Sequence, residues 1–381
     1  MTAREHVLLA DDNATVTSAL SMLLERPGRT TIVCSDIESA ELMLARSPIT
    51  HLVTDVQFSG AFGYEGLHFL GRVRSRLPLC RIVLITGQPS DALRTTALEH
   101  GANALLSKPF GIDELEAVLE STSGEGDGAY EVVAVPTLDD ILAGNALDMA
   151  FQPIVRMTAT GAPFLAFEAL ARVRGDWPGG GPAQLFEYAE RLGRLRELNL
   201  MALTRAIESA PELPESASIF INLDPSAFGA DLARILDETS ARAGVSLSRV
   251  VLEVTERTAF PDPAAVVPLF GQLHARGVRF ALDDHGSAYS HLSIIDQLRP
   301  SFIKISNTFG TKLEDDETHR CIVSHVASLA RDFGCKTILE GIESPETAHA
   351  AAGLGIDYAQ GYHFGRPNPA AHWSGFQENF G

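Results

Sequence analysis

His6–Asp12 reads HVLLADD, an apolar run long enough for one buried strand, closed by two acids. The same figure returns along the chain. LVTD spans Leu52–Asp55, RFALDD spans Arg279–Asp284 and TILE spans Thr337–Glu340, while FIKI at Phe302–Ile305 carries its polar residue, Lys304, inside the run. Short apolar runs separated by amphipathic stretches mark parallel strands alternating with helices, because a strand covered on both faces needs no polar alternation. A polar residue closing such a run stands at the carboxyl edge of its sheet. That edge is where open α/β sheets and β/α barrels place their ligands.

Working outward from His6–Asp12, strands are expected at His6–Ala10, Thr31–Cys34, His51–Thr54, Arg81–Ile85 and Ala104–Leu106. Helical patterns such as Ala14–Glu25 and Ile37–Arg46 lie between them. A last helix opens near Asp113, with Glu116 three residues on as its capping partner. Residues 1–122 therefore read as an α/β domain built on a doubly wound, parallel, five-stranded sheet. Ser121–Gly128, STSGEGDG, has the composition of a flexible connection, and 123–136 reads as a linker.

Residues 137–381 repeat the alternation. Strands are expected at Phe164–Leu170, Ser218–Leu223, Val250–Thr255, Arg279–Leu282, Phe302–Ile305, Thr337–Leu339 and Tyr358–Gly361. The length and order suit a modified β/α, TIM-like barrel.

The 30 Lys+Arg against 49 Asp+Glu give a net charge of −19. So acidic a chain is a poor nonspecific nucleic-acid binder, which needs positive surface to release counterions, and no direct DNA binding is expected. No apolar stretch approaches a membrane span, and Met1–Asp12 lacks the build of a signal peptide. Cys34, Cys80, Cys321 and Cys335 form no close pair, which suits free thiols in a reducing, cytoplasmic setting.

The strand ends carry the chemistry. In the first domain they bring Asp11, Asp12, Asp55, Thr86 and Lys108 to one crevice. Clustered carboxylates repel one another, and Mg²⁺ with its preference for oxygen is the natural compensation. Lys108 supplies a fixed charge and Thr86 a hydroxyl donor for a phosphoryl oxygen. In the second domain the ends offer Glu168, Asn222, Glu253, Asp283, Asp284, Lys304, Glu340 and Gln360. Any one of these could simply be solvated past its strand, but a buried unpaired charge in every strand end would be too costly to repeat. The donors are oxygens, with no matching His or Cys set, so Mg²⁺ or Mn²⁺ is expected rather than zinc. Two such ions about 3.5–4 Å apart would clamp the attacking and leaving oxygens of a displacement at phosphorus.

On these motifs the first domain resembles the receiver domain of two-component response regulators. LLADD, LVTD, LITG at Leu84–Gly87 and SKPF at Ser107–Phe110 carry the likeness. The resemblance implies phosphorylation of Asp55 by a sensor histidine kinase, with one Mg²⁺ held by Asp12 and Asp55 helped by Asp11, and with Thr86 and Lys108 serving the phosphoryl group. Two features depart from the pattern: VQFSGAFGYEG follows Asp55, and Leu105 stands where an aromatic switch residue is usual.

The second domain resembles the EAL phosphodiesterases. FQPI at Phe151–Ile154, EALAR at Glu168–Arg172, INLDPSAF at Ile221–Phe228 and LEVTE at Leu252–Glu256 open the match. DDHGSAYSHL at Asp283–Leu292, FIKIS at Phe302–Ser306, EGIES at Glu340–Ser344 and QGYHFGRP at Gln360–Pro367 complete it. The resemblance implies hydrolysis of cyclic di-GMP to linear pGpG. Glu168, Asn222, Glu253 and Asp283 would hold one metal, and Asp283, Asp284 and Glu340 a second, with Glu340 also a base. Lys304 and Gln360 would position water. Gln152, Leu170 and Arg172 would contact the dinucleotide, Glu256 would anchor the loop after Asp283, and Glu343 would add a carboxylate. Both domain types imply a homo-oligomer. His285, Ser287, Ala288 and His291 depart from the usual DDFGTGYSSL, and Ser306 replaces an Asp. Those changes raise a second possibility, a weakly active or inactive barrel that serves as a cyclic di-GMP receptor or a protein-interaction module.

Overall fold

The computed structural model describes residues 5–58, 65–119, 131–134, 136–143, 146–157, 166–174, 181–255, 263–285, 295, 297–311, 313–314 and 316–376. They form two compact units, 1–146 with 173–193, and 147–172 with 194–381.

The first unit is a parallel sheet with helices on both faces. Its strands are β1 (Glu5–Ala10), β2 (Arg29–Cys34), β3 (His51–Asp55), β4 (Arg81–Thr86) and β5 (Ala104–Ser107). The helices between and after them are α1 (Ala14–Leu23), α2 (Ile37–Arg46), α3 (Glu65–Arg76), α4 (Asp91–Glu99) and α5 (Ile112–Leu119). Alternate residues of β1 show how the layers form. Val7 and Leu9 pack with Leu20 of α1 and Leu115 of α5, while Leu8 and Ala10 face Met43 of α2, Phe69 of α3 and Ala97 of α4. The five expected strands are all present.

A sixth strand, β6 (Glu131–Ala134), lies within the stretch read as linker and pairs parallel to β2. The sheet order becomes β5-β4-β3-β1-β2-β6. EVVA is too short to announce itself, and its strand conformation depends on the free edge of β2. Glu116 does not stay within its own helix turn. It meets the buried Arg29 at 2.7 Å, and Arg29 also bonds Glu5 at 3.0 Å. The pairing is a tertiary one that the capping expectation did not include.

The second unit is a closed barrel. Its strands are β7 (Leu147–Arg156), β8 (Ala166–Val173), β9 (Ser218–Asn222), β10 (Val250–Thr255), β11 (Arg279–His285), β12 (Phe302–Ile305), β13 (Lys336–Leu339) and β14 (Tyr358–Gln360), in the cyclic order β10-β11-β12-β13-β14-β7-β8-β9. The seven expected strands recur, Val250–Thr255 and Phe302–Ile305 with the expected ends and the other five with shifted ones. The eighth, β7, is missing from the sequence expectation. It runs antiparallel to β14 and closes the barrel, which is why the fold is a modified rather than a regular β/α barrel.

One residue from each strand fills a layer of the barrel interior: Ile154, Ala166, Phe220 and Val251, followed around the barrel by Ala281, Phe302, Ile338 and Tyr358. Rings meet edge to face there, Phe220 with Phe302 at 5.0 Å and Phe302 with Tyr358 at 6.1 Å. This apolar layer is the floor of what lies above it.

Candidate active site

Side chains alternate across a strand, so the next inward residue lies two positions on. Counting two toward the carboxyl end from each floor residue gives Glu168, Asn222, Glu253, Asp283, Lys304, Glu340 and Gln360. On β7, which runs the other way, counting two back from Ile154 gives Gln152. A single polar ring thus stands on a single apolar floor, and the antiparallel strand contributes in the opposite sense.

Lys304 is the hub. Its Nζ lies 2.8 Å from Glu340, 3.0 Å from Glu253, 3.3 Å from Glu168 and 3.5 Å from Asp283. Amides fill in the rest. Asn222 Nδ2 donates to Glu168 Oε1 at 2.8 Å, and Gln360 Nε2 donates to Glu168 Oε2 at 2.6 Å and to Gln152 Oε1 at 3.1 Å. Gln152 in turn donates to the Gly365 carbonyl at 3.0 Å.

Burial and charge pull these groups apart. Burial pushes the Glu168 carboxyl up, but Lys304 and the two amides outweigh it and hold it below the usual range. Burial wins at Glu253, which is raised well above an ordinary carboxylate despite Lys304. Burial would release the Lys304 proton, yet Asp283, Glu168, Glu253 and Glu340 together keep the ammonium more tightly protonated than usual. Glu340 is pushed up to about 7, by burial first and then by Asp283 and Glu168, against Lys304.

The ring opens into a cavity of about 340 Å³. Leu170 and Glu343 line it. Asn307, Thr311 and Tyr362 also line it and were missed, because nothing in their local sequence distinguishes them from loop residues. Arg172 is not in this wall. Its guanidinium donates to the Ala171 carbonyl at 2.7 Å. Glu256, Ser287, Ala288 and His291 lie outside the described residues, as do the side chains of Asp284 and His285.

Among the described residues no acids, histidines or cysteines close up into a ready metal cage, since an ammonium holds the centre. The donor set nevertheless fits a divalent ion. Glu253 Oε1 and Gln360 Oε1 are buried with no hydrogen-bond partner, and oxygens of that kind are what Mg²⁺ or Mn²⁺ takes.

The first unit has a smaller version. Lys108 Nζ lies 2.8 Å from Asp11 and 2.6 Å from Asp55. Asn13 N–H donates to Asp11 at 2.8 Å and Gln57 N–H to Asp55 at 3.2 Å. Burial raises the Asp11 carboxyl, opposed by Lys108 and Asn13. Asp12 is exposed at the same rim, and Thr86 is buried with its Oγ1 accepting from Gln88 N–H at 3.1 Å. Leu105, in place of the usual aromatic, is buried among Ile82, Leu84 and Ala97.

The EAL domain family matches residues 137–367, and the response regulator receiver domain matches residues 7–120. Cyclic di-GMP phosphodiesterase RocR of Pseudomonas aeruginosa is 26% identical over 364 residues, which is 91% of each chain. The uncharacterized protein y4lL of Sinorhizobium fredii is 31% identical over 241 residues, 62% of this chain, and is far longer, so that the chain spans only 28% of it. Among solved structures, the phosphodiesterase MucR of Pseudomonas aeruginosa in complex with c-di-GMP superposes with a TM-score of 0.55 at 30% identity, over 62% of this chain and 97% of that one. A manganese/c-di-GMP complex of BlrP1 from Klebsiella pneumoniae superposes with a TM-score of 0.52 at 28% identity, over 59% of this chain and 57% of that one.

Proposed function

The chain belongs to the EAL domain family and carries a receiver domain ahead of it, and from that premise we propose that it hydrolyses cyclic di-GMP to linear pGpG under the control of phosphorylation at Asp55. The observation that carries the reading is the ring itself, four carboxylates around one buried ammonium on the floor of an open cavity. Such a concentration of oxygen donors is expensive as structure and useful as a cation site.

Glu168, Asn222, Glu253 and Asp283 would hold one divalent ion, and Asp283, Asp284 and Glu340 a second. Bound Mg²⁺ or Mn²⁺ supplies a Lewis acid for phosphoryl oxygens and lowers the pKa of water. The chain's own residues do the rest. Glu340 lines the cavity 2.8 Å from Lys304, where its carboxylate oxygen would take a proton from attacking water. Lys304 holds the four acids in register and neutralises part of their charge. Gln360 fixes Glu168 through its amide nitrogen, and Gln152 holds Gln360 by accepting from that same nitrogen. Leu170, Glu343 and Arg172 would face the dinucleotide, Arg172 after leaving the Ala171 carbonyl, and Glu256 would brace the loop after Asp283.

In the receiver, a sensor histidine kinase would supply the phosphoryl group to Asp55, with a Mg²⁺ ion shared by Asp11, Asp12 and Asp55. Lys108 and Thr86 would meet its oxygens. We also propose a receiver domain ending at 122, a phosphodiesterase domain opening at 137 and a homo-oligomeric state, the last read directly by light scattering on the purified chain.

The deciding experiment mixes purified protein with cyclic di-GMP and Mn²⁺ and follows pGpG. Steady turnover that disappears in Glu168→Ala is expected. Tight binding without product would replace the enzyme by a receptor. Ser306 favours that rival reading, since its hydroxyl meets Thr308 Oγ1 at 3.4 Å and brings no carboxylate to the rim.

A further inference from the structure

The turn that carries Glu340 is gripped from both sides by glycines. Glu340 N–H donates to the Ile305 carbonyl at 3.1 Å, and Ile342 N–H donates to the Gln360 carbonyl at 3.1 Å, so the segment is stitched between β12 and β14. A one-turn helix, Asn307–Gly310, lies against it. A Cβ on Gly310 would overlap the Glu340 carbonyl oxygen and stand 2.9 Å from its carbonyl carbon. A Cβ on Gly361 would overlap the Ile342 carbonyl oxygen and stand 2.5 Å from its carbonyl carbon on the other side. Between them Gly341 takes φ +77°, and its own Cβ would meet Asn307 Cα at 3.0 Å. These neighbours are backbone atoms, which cannot swing aside as a side chain does.

The first unit repeats the device. A Cβ on Gly66 of α3 would overlap the Asp55 carbonyl oxygen and stand 2.9 Å from that of Val56. In both units a glycine at a helix lets that helix touch the backbone of a reactive carboxylate.

We propose that Gly310 is a positioning residue for Glu340, setting the height of its backbone and hence the reach of its carboxylate toward Lys304 and the reacting centre. The inference rests on the phosphodiesterase reading above. Gly361 and Gly341 lie within the matched motifs QGYHFGRP and EGIES, whereas Gly310 lies outside every motif quoted for the family likeness. It is held in place by Phe309, which meets His319 edge to face at 5.3 Å.

The test is Gly310→Ala in the full chain, with Gly353→Ala as control, since a Cβ at Gly353 meets nothing within 4 Å. The kcat for cyclic di-GMP should fall by roughly tenfold or more, because small misplacements of a reacting group are that damaging. KM should stay within about twofold, since the substrate's binding contacts remain. The control should match the unaltered chain. A structural role alone would lower the unfolding temperature and the yield without splitting kcat from KM.

Two further measurements keep the claim exposed. In a Glu340→Gln background, Gly310→Ala should have no further effect on residual turnover or on Mn²⁺ affinity by calorimetry, because the residue acts through Glu340. Equal losses in both backgrounds would overturn it, as would unchanged kcat in Gly310→Ala. Should that variant not fold, Phe309→Leu, which loosens the same helix instead of crowding it, should give the same split. If the unaltered chain itself yields no pGpG, the phosphodiesterase reading fails. Gly310 is then judged by Mn²⁺ affinity alone, which Gly310→Ala should weaken as much as Glu340→Gln does.

Discussion

Each unit organises its acids around one lysine, yet the two lysines live in different media. Lys108 is 26% exposed and holds two acids, whereas Lys304 is 1% exposed and holds four. Water can replace Lys108 and screen Asp55, which is what the proposed exchange of a phosphoryl group and a cation at that rim would need. Lys304, closed off from solvent, has no such exchange. The comparison teaches that one arrangement of a cation among carboxylates is open to exchange with solvent at a sheet edge and fixed inside a barrel. Solvent access makes the difference, not the residue types.

The largest effect should follow from removing the buried hub. Lys304→Met leaves Glu168 and Glu253 buried without their ammonium, and breaking such a cluster destabilises by about 3–5 kcal/mol. Urea unfolding of the metal-free chain measures it, and turnover should vanish as well. Mn²⁺ should restore part of the stability. A variant as stable as the unaltered chain without metal would show that the four acids do not need the lysine, and the contrast would collapse.

Next comes pH. Glu340 sits at about 7 in the folded chain against an ordinary 4.5, so between those values the folded state holds more protons than the unfolded one. Metal-free stability should therefore fall as pH rises through about 4.5 to 7 and stay low above it, by at most about 3 kcal/mol. Glu168 has the opposite sign: its lowered pKa contributes stability above the ordinary carboxylate range that is lost as pH falls. Glu253, also raised well above an ordinary carboxylate, adds to the fall with rising pH. Thermal unfolding at pH 3, 5 and 8 separates the groups, since Glu340→Gln should lessen the fall between pH 5 and 8 and leave the loss below pH 5 in place. The same slope in both proteins would show that Glu340 is not the group responsible.

A smaller effect is expected in the receiver. Lys108→Ala should destabilise by about 1–2 kcal/mol, the range for a partly solvated hydrogen bond to a charged group. Denaturant unfolding reads this, and a loss as large as that of Lys304→Met would erase the distinction between rim and interior. Smallest of all is Arg234→Ala. Arg234 and Glu238 pair at 2.8 Å on the outside of Leu232–Ala243, both more than half exposed, and the unfolding temperature should not move measurably.

Much of this was legible in one dimension. The residues Asp11, Asp55, Lys108, Glu168, Glu253, Lys304 and Glu340 could be named because each follows an apolar run or, for Glu253 and Lys304, interrupts one near its end, and a period of two fixes which side of the strand it takes. Strand β7 was not legible, because LDMAFQPIVR reads as neither clean alternation nor an apolar run, and its direction depends on β14. Strand β6 depends on the open edge of β2 in the same way. Tyr362 and Asn307 reach the cavity by virtue of loops whose path no local pattern records.

The sequence alone determined the strand–helix alternation, the two-domain division and the set of polar residues at strand ends, since burial periodicity and turn chemistry are local properties. Only the tertiary structure decided that these residues form one ring on one apolar floor, that Lys304 stands at its centre, and that Arg172 turns aside to the Ala171 carbonyl. Barrel closure brings together positions far apart in the chain, and the balance of burial against charge at each carboxylate exists only after it has done so.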